Sequence, residues 1–250
     1  MGTNNPRDLE SETPTPPSER IGPRTRFNMA RQTDPYDLEN PVPLDATAGV
    51  KRGRLAAILD VGCDTGRLAA TLRRKHGQRV VGVDVNGKAL LVAAERGVPV
   101  VKFDFEYARG SPSRKNSFAG AILGDVIEHV RNSGPLLRQI ASLVAPGGLF
   151  IAISVPNVAF IETRLRLLFG RFDSTDAGTL DRSHRRFLTR SSVVETVRSA
   201  GLEIERVEPY TANRSVQFLK PLWKIMPGLF AYQIMVRARR PVRETYSPPH

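Results

Sequence analysis

Two short stretches hold residue types that do chemistry at useful spacings. In Asp60-Val61-Gly62-Cys63-Asp64-Thr65-Gly66, small residues alternate with acids. Small residues let a backbone approach a bound molecule, and a helix that starts just after them offers N–H groups without intrahelical acceptors. Asp84 follows 20 positions after Asp64, and a carboxylate there can accept from two neighbouring hydroxyls. In Asp125-Val126-Ile127-Glu128-His129, one helical turn would bring Asp125, Glu128 and His129 to one side. Three roles are open for that cluster. His129 can take a proton from a hydroxyl. Glu128 and His129 can hold a divalent ion that lowers the hydroxyl's pKa. Or Glu128 orients the loop and His129 packs beside a ligand.

The elements that must position these residues alternate regularly. Strand signals run over 55–61, 79–85, 98–105, 118–126, 149–157, 202–209 and 230–239. Helical spacing marks 66–77, 87–97, 134–148 and 191–201, the last with Thr189 or Ser191 as N-cap. Short, nearly continuous apolar strands alternating with helices predict an α/β domain, a parallel sheet covered on both faces. One of the last two strands is expected to run antiparallel at an edge. Ligands of such sheets lie beyond the carboxyl ends of the strands, where both stretches fall. The segment 157–189 is a long insertion between strand and helix, read as a substrate lid. It contains His184 among Asp181, Arg182, Arg185 and Arg186.

The first stretch discriminates between ligands. A dinucleotide fingerprint needs G-x-G-x-x-G, but counting from Gly62 its next two glycine positions hold Asp64 and Arg67. A pyrophosphate would meet Asp60 and Asp64 as like charges, whereas a ligand carrying an ammonium and a sulfonium would not. Cys63 reads as a small buried residue rather than a nucleophile.

The Asp60-x-Gly62-x-Asp64-x-Gly66 segment resembles motif I of the class I S-adenosylmethionine-dependent methyltransferases, with Asp64 replacing the middle glycine. Asp tolerates left-handed backbone better than most residues. The resemblance covers about 35–240 and implies a Rossmann-like three-layer sandwich with a seven-stranded, mostly parallel sheet. It implies S-adenosylmethionine as cofactor, held by Asp60, Gly62, Cys63, Gly66, Asp84, Val85, Asp104, Phe105 and Asp125. Asp84 would bind the ribose. Asp104 would face the adenine amino group, and Phe105 would pack on the ring. Ala145-Pro146-Gly147-Gly148 resembles the turn before the fifth strand.

Asp125-x-x-Glu128-His129 is similar to a segment of ubiquinone-biosynthesis O-methyltransferases and of small-RNA 3′-terminal 2′-O-methyltransferases. Leu180-Asp181-Arg182-Ser183-His184-Arg185-Arg186-Phe187-Leu188-Thr189-Arg190 is similar to a block of MetW-like bacterial methyltransferases. These likenesses make His184 a candidate third metal ligand beside Glu128 and His129. The alternative is that Phe187 anchors the loop while Asp181 and His184 brace it. Arg182, Arg185 and Arg186 can hold an anionic group of the substrate or form a solvated face.

Composition bounds the remaining readings. The chain has 250 residues, 40% of them hydrophobic, enough for a core. Its single cysteine excludes an internal disulfide or a multi-cysteine metal site. Residues 1–30 are polar and proline-rich and read as a disordered tail before a domain over 31–240, with a second tail over 241–250. No signal-peptide or membrane-spanning run is visible, so the expectation is a cytoplasmic protein. The net charge is +12, with arginine supplying 30 of the 37 cations, and nucleic acid is a less favoured partner. PLWKIMPGLF (221–230) is amphipathic and reads as core packing ahead of membrane contact. The expected reaction is O-methylation of a small-molecule, sugar or lipid-linked acceptor. The rivals are a metal-dependent RNA 2′-O-methyltransferase and a non-catalytic cofactor-binding partner.

Overall fold

The computed structural model describes residues 57–148, 150–210 and 226–242. The expected N-terminal tail, most of the C-terminal tail and the first half of 221–230 lie outside the described residues. Seven strands form one sheet: β1 Ala57–Val61, β2 Arg79–Asp84, β3 Val100–Lys102, β4 Gly120–Gly124, β5 Phe150–Pro156, β6 Glu203–Tyr210 and β7 Gln233–Arg239. Their order is β3-β2-β1-β4-β5-β7-β6. The first five are parallel. The helices are α1 Arg67–His76, α2 Gly87–Glu95, α3 Ser133–Leu143, α4 Ile161–Leu168, α5 Arg190–Ser199 and the short α6 Pro227–Phe230.

The period-2 alternation of the strands divides the core. Leu59, Val61, Ala121, Leu123, Ile151 and Ile153 face one side, where they pack with α3 and α5 through Leu137, Ile140, Val193 and Val197. Ile58, Val80, Ile122 and Ala152 face the other, against Ala69 and Leu72 of α1 and Ala93 of α2. Both faces of the central strands are therefore apolar, which is why they read as continuous hydrophobic runs. This is the three-layer arrangement expected.

Local signals start two of the helices, the second at the expected Thr189. Asn86 caps α2 by accepting from Lys88 N and Ala89 N, and Thr189 with Ser192 forms a capping box on α5. The start of α1 is different: its N-cap is Gly66, and no side chain caps it.

One expectation is corrected. The antiparallel strand is not at the edge: β7 lies between β5 and β6, antiparallel to both. Ile234, Val236 and Ala238 of β7 are fully buried or nearly so, while β6 is exposed at Glu203, Glu205 and Arg206. The more apolar strand takes the interior position. The insertion contains α4.

Candidate active site

The strand ends β1, β2 and β4 converge on the two stretches singled out by sequence. After β1 the backbone adopts left-handed φ at Gly62 (69°), Asp64 (45°) and Gly66 (70°). Asp64 thus takes the conformation that a glycine would hold at the middle position. At Gly62 a Cβ would stand 2.6 Å from Val126 Cγ2, and at Gly66 one would stand 2.7 Å from Ala93 Cβ. Those two glycines are required by packing as well as by φ.

The turn is tied to β2. Gly62 N and Cys63 N donate to Val83 O at 2.8 and 3.2 Å. Asp84 accepts from Asp64 N on Oδ2 (2.9 Å) and from Asn86 N on Oδ1 (2.8 Å). Val85, beside it, is exposed. Cys63 turns into the protein against Gly82, and burial with the neighbouring Asp60 and Asp84 pushes its thiol up to about 12. That is the opposite of the lowered pKa that activates a thiol.

Asp60 is buried, and its Oδ2 has no hydrogen-bond partner. Burial, followed by the charge of Asp84, raises its carboxyl to about 7. The unmatched buried carboxylate oxygen suits a cationic or hydrogen-donating group of a ligand, while the uncapped helix start beside it offers N–H groups to an anionic one. Asp104, past β3, accepts from Glu106 N and Tyr107 N on Oδ1 and so shapes its own turn. Phe105 stacks edge-on with Phe103 at 5.0 Å.

Past β4 the chain forms a turn, with His129 N donating to Val126 O at 3.1 Å. Asp125 has φ 50°, and both its oxygens accept from Gln233 Nε2 at 3.1 Å. Glu128 and His129 instead meet His184 from the insertion. Ligating atoms of Glu128, His129 and His184 lie within 4.8 Å of one another, and the two imidazoles stack edge-on at 4.9 Å. His184 thus stands beside the stretch read from sequence, in which the charge of Asp125 still bears on Glu128. Asp125 is oriented from β7, and His184 takes a place beside Glu128 and His129. Glu128 is almost fully buried, and neither carboxylate oxygen has a hydrogen-bond partner. Burial and then Asp125 raise its carboxyl to about 9.

The insertion is anchored where it meets this site. Arg185 N and Arg186 N both donate to Glu128 O, at 2.9 and 3.1 Å. Asn157 and Leu188 form a parallel bridge across its two ends. Ser183 Oγ lies 3.3 Å from His129 Nδ1 and donates to Asp181 at 2.5 Å. The Ser183 hydrogen bonds hold the Asp181 carboxyl below its usual range. Burial and then His129 lower the His184 pKa. The arginines have protein partners: Arg182 with Asp176 (2.9 Å), Arg185 with Glu106 (3.9 Å), and Arg186 with Ser133 Oγ (3.0 Å).

Sequence reasoning missed Gln233, Ser183 and Tyr232. Gln233 is buried and reaches Asp125 across 108 positions, a contact with no local signature. The Tyr232 hydroxyl lies 3.1 Å from where a Cβ on Gly178 would stand. Burial and the acids Asp125 and Glu162 push its pKa up.

The model of a family described as a methyltransferase domain matches residues 39–207. The ubiquinone biosynthesis O-methyltransferase of Aeromonas salmonicida is 29% identical over 185 residues, covering 70% of this chain and 75% of that protein. A bifunctional methionine biosynthesis protein MetXA/MetW of Rhodopirellula baltica is 30% identical over 159 residues, covering 57% of this chain and 24% of that protein. Among solved structures, phosphoethanolamine N-methyltransferase 2 of Haemonchus contortus in complex with S-adenosyl-L-methionine superposes with a TM-score of 0.54 at 18% identity. That match covers 81% of this chain and 52% of the solved one.

Proposed function

Since the chain belongs to this methyltransferase-domain family, whose cofactor is S-adenosylmethionine, we propose that it methylates a hydroxyl of a small-molecule, sugar or lipid-linked acceptor. The observation that carries this reading is the meeting of Glu128, His129 and His184 at the β4 end, a site for removing a hydroxyl proton. The O-methyltransferase relative supports the same chemistry.

When bound, S-adenosylmethionine supplies an electrophilic methyl group on a sulfonium sulfur. The residues of this chain have separable tasks. Asp60, with its unmatched oxygen, attracts the cationic end of the cofactor. Asp84, already fixed by two backbone N–H groups, receives the ribose hydroxyls. Val85, Asp104 and Phe105 receive the adenine, and Asp125 stands at the methionine end. Holding the acceptor in line with the methyl carbon supplies much of the rate.

His129 takes the acceptor proton. Its Nδ1 lies 3.4 Å from Ser183 O; donation there leaves Nε2 as the basic nitrogen. A divalent ion is the second way to ionise the hydroxyl. The donor set fits one, because a carboxylate and two imidazoles suit a borderline cation and Glu128 has no protein partner for either oxygen. Glu128, His129 and His184 would hold it, and it would lower the hydroxyl pKa. The insertion 157–189 closes over the acceptor.

The test is product analysis with labelled S-adenosylmethionine and a panel of phenols, sugars and amines, with and without chelator. The expected outcome is an O-methyl product. His129→Ala leaves S-adenosylhomocysteine affinity within about twofold and lowers turnover on the order of 100-fold. Transfer to amines alone, or full turnover in His129→Ala, overturns the assignment. Activity that is lost with chelator and regained on adding metal assigns the three residues as ligands.

A further inference from the structure

Apolar side chains belong inside, and an exposed cluster of large ones calls for a partner. Residues 164–174 are exposed without interruption. They contain Leu165 (48% exposed), Leu167 (49%), Leu168 (76%), Phe169 (76%) and Phe172 (48%). The physical reason is visible in α4, which buries only Thr163 against the domain. Leu165, Leu168 and Phe169 share a helical spacing that points away from it. Interleaved with them are Arg164, whose Nε donates to Ala159 O at 2.8 Å, Arg166, in an exposed i,i+4 pair with Glu162 at 2.7 Å, and Arg171, with Asp173 and Asp176 after them. Arg171 is three-quarters exposed, and its Asp173 contact is a loose surface pair at 3.8 Å.

We infer that the end of α4 and the turn after it dock on an anionic lipid surface, with Leu165, Leu168, Phe169 and Phe172 entering the acyl boundary and the arginines meeting headgroups. Leu168 and Phe169 protrude at a helix end, and protruding side chains need no shaped pocket in a fluid bilayer. Guanidinium groups flanking an apolar tip complement anionic headgroups, each arginine strengthening binding by roughly fivefold near such a surface. The whole chain, at net +12, is drawn the same way. A second copy docked through the same tip about a twofold axis would set these arginines against their own counterparts. The tip is also linked to the catalytic face. Phe172 stacks edge-on with Phe187 at 5.4 Å, three residues beyond His184. The inference does not depend on the acceptor being lipid-borne.

The test is flotation of the full chain with vesicles of phosphatidylcholine alone or with about a third phosphatidylglycerol, at low and high salt. Binding is expected to the anionic vesicles and to weaken with salt. The double substitution Leu168→Glu and Phe169→Glu should reduce it on the order of tenfold or more. Because both residues are exposed, the melting temperature and S-adenosylhomocysteine affinity of that variant should stay unchanged, which separates lost docking from lost folding. Replacing Arg164, Arg166 and Arg171 by Gln should weaken binding and flatten its salt dependence. Failure of the wild type to float with anionic vesicles overturns the inference. So does equal flotation of the double variant. So does a wild-type dimer that the double variant converts to monomer without vesicle binding, which would make the tip a self-interface.

Discussion

At Asp84 both carboxylate oxygens already accept from the backbone, Asp64 N on one side and Asn86 N on the other. The side chain therefore closes the cofactor turn before any ligand arrives, and the ribose would add to a fixed carboxylate. Replacing it removes both tasks. Asp84→Ala should lower S-adenosylhomocysteine affinity roughly 10- to 100-fold, as measured by calorimetry, the range for losing hydrogen bonds to a charged group. Asp84→Asn, which keeps one acceptor oxygen, should fall between. Affinity unchanged in Asp84→Ala would remove the ribose assignment. Asp84 was legible because the strand ends at it and the glycine turn precedes it at a fixed distance. Ser183, which lies against His129 Nδ1, was not, because nothing local distinguishes it from other loop serines.

Among the elements, the junction of β1 with α1 carries the strongest constraint. Gly66 is both the N-cap of α1 and the point where that helix meets Ala93 of α2. Its φ of 70° disfavours any Cβ by about 1–2 kcal/mol. A methyl there would also overlap Ala93 Cβ at 2.7 Å, adding an overpacking cost of about 1–3 kcal/mol. Gly66→Ala should therefore lose about 2–5 kcal/mol in denaturant unfolding. Combining it with Ala93→Gly should return the packing part and leave the backbone part. No recovery in the double variant would show that the close approach is not the cause. The same scale explains the misplaced antiparallel strand. Of the two consecutive strands β6 and β7, the one that inserts beside β5 must accept burial on both faces, and β7 does so with Ile234, Val236 and Ala238 on one face and Gln233 and Met235 on the other.

For the whole molecule, two buried carboxyls, Asp60 and Glu128, set charge against burial. Asp60 has its pKa raised from 3.8 to about 7 by burial and then by Asp84. Between those values the folded chain holds a proton that the unfolded chain has lost. Its contribution to stability is thus fully present below about pH 4 and is lost as pH rises through about 7, on the order of 4 kcal/mol in all. Asp60→Asn cannot titrate, so the stability of the wild type relative to this variant should decline from pH 5 to pH 8 in parallel denaturant series. A pH-independent difference would mean that Asp60 is ionised throughout. Binding a ligand with an ammonium group should then expel the Asp60 proton near pH 6. Calorimetric heats of S-adenosylhomocysteine binding should vary with the ionisation enthalpy of the buffer there and cease to vary above pH 8.

The sequence by itself determined the alternation of strands and helices, the Thr189 cap, the tight glycine turn after β1 and the ordering of acids at successive strand ends. Each of these depends on residues a few positions apart, where periodicity, φ preference and capping chemistry act directly. Its motif likenesses also put His184 forward as a third candidate ligand beside Glu128 and His129. Only the tertiary structure decided that His184 joins Glu128 and His129 while Asp125 is turned to Gln233. Those pairings span 55 to 108 positions and follow from where the insertion and β7 come to rest. Exposure was decided there too. In 221–230, Phe230 is buried, whereas the leucines and phenylalanines of 165–172, similar in pattern, are left outside. A pattern of apolar residues states which side chains seek cover, and packing alone settles which of them find it.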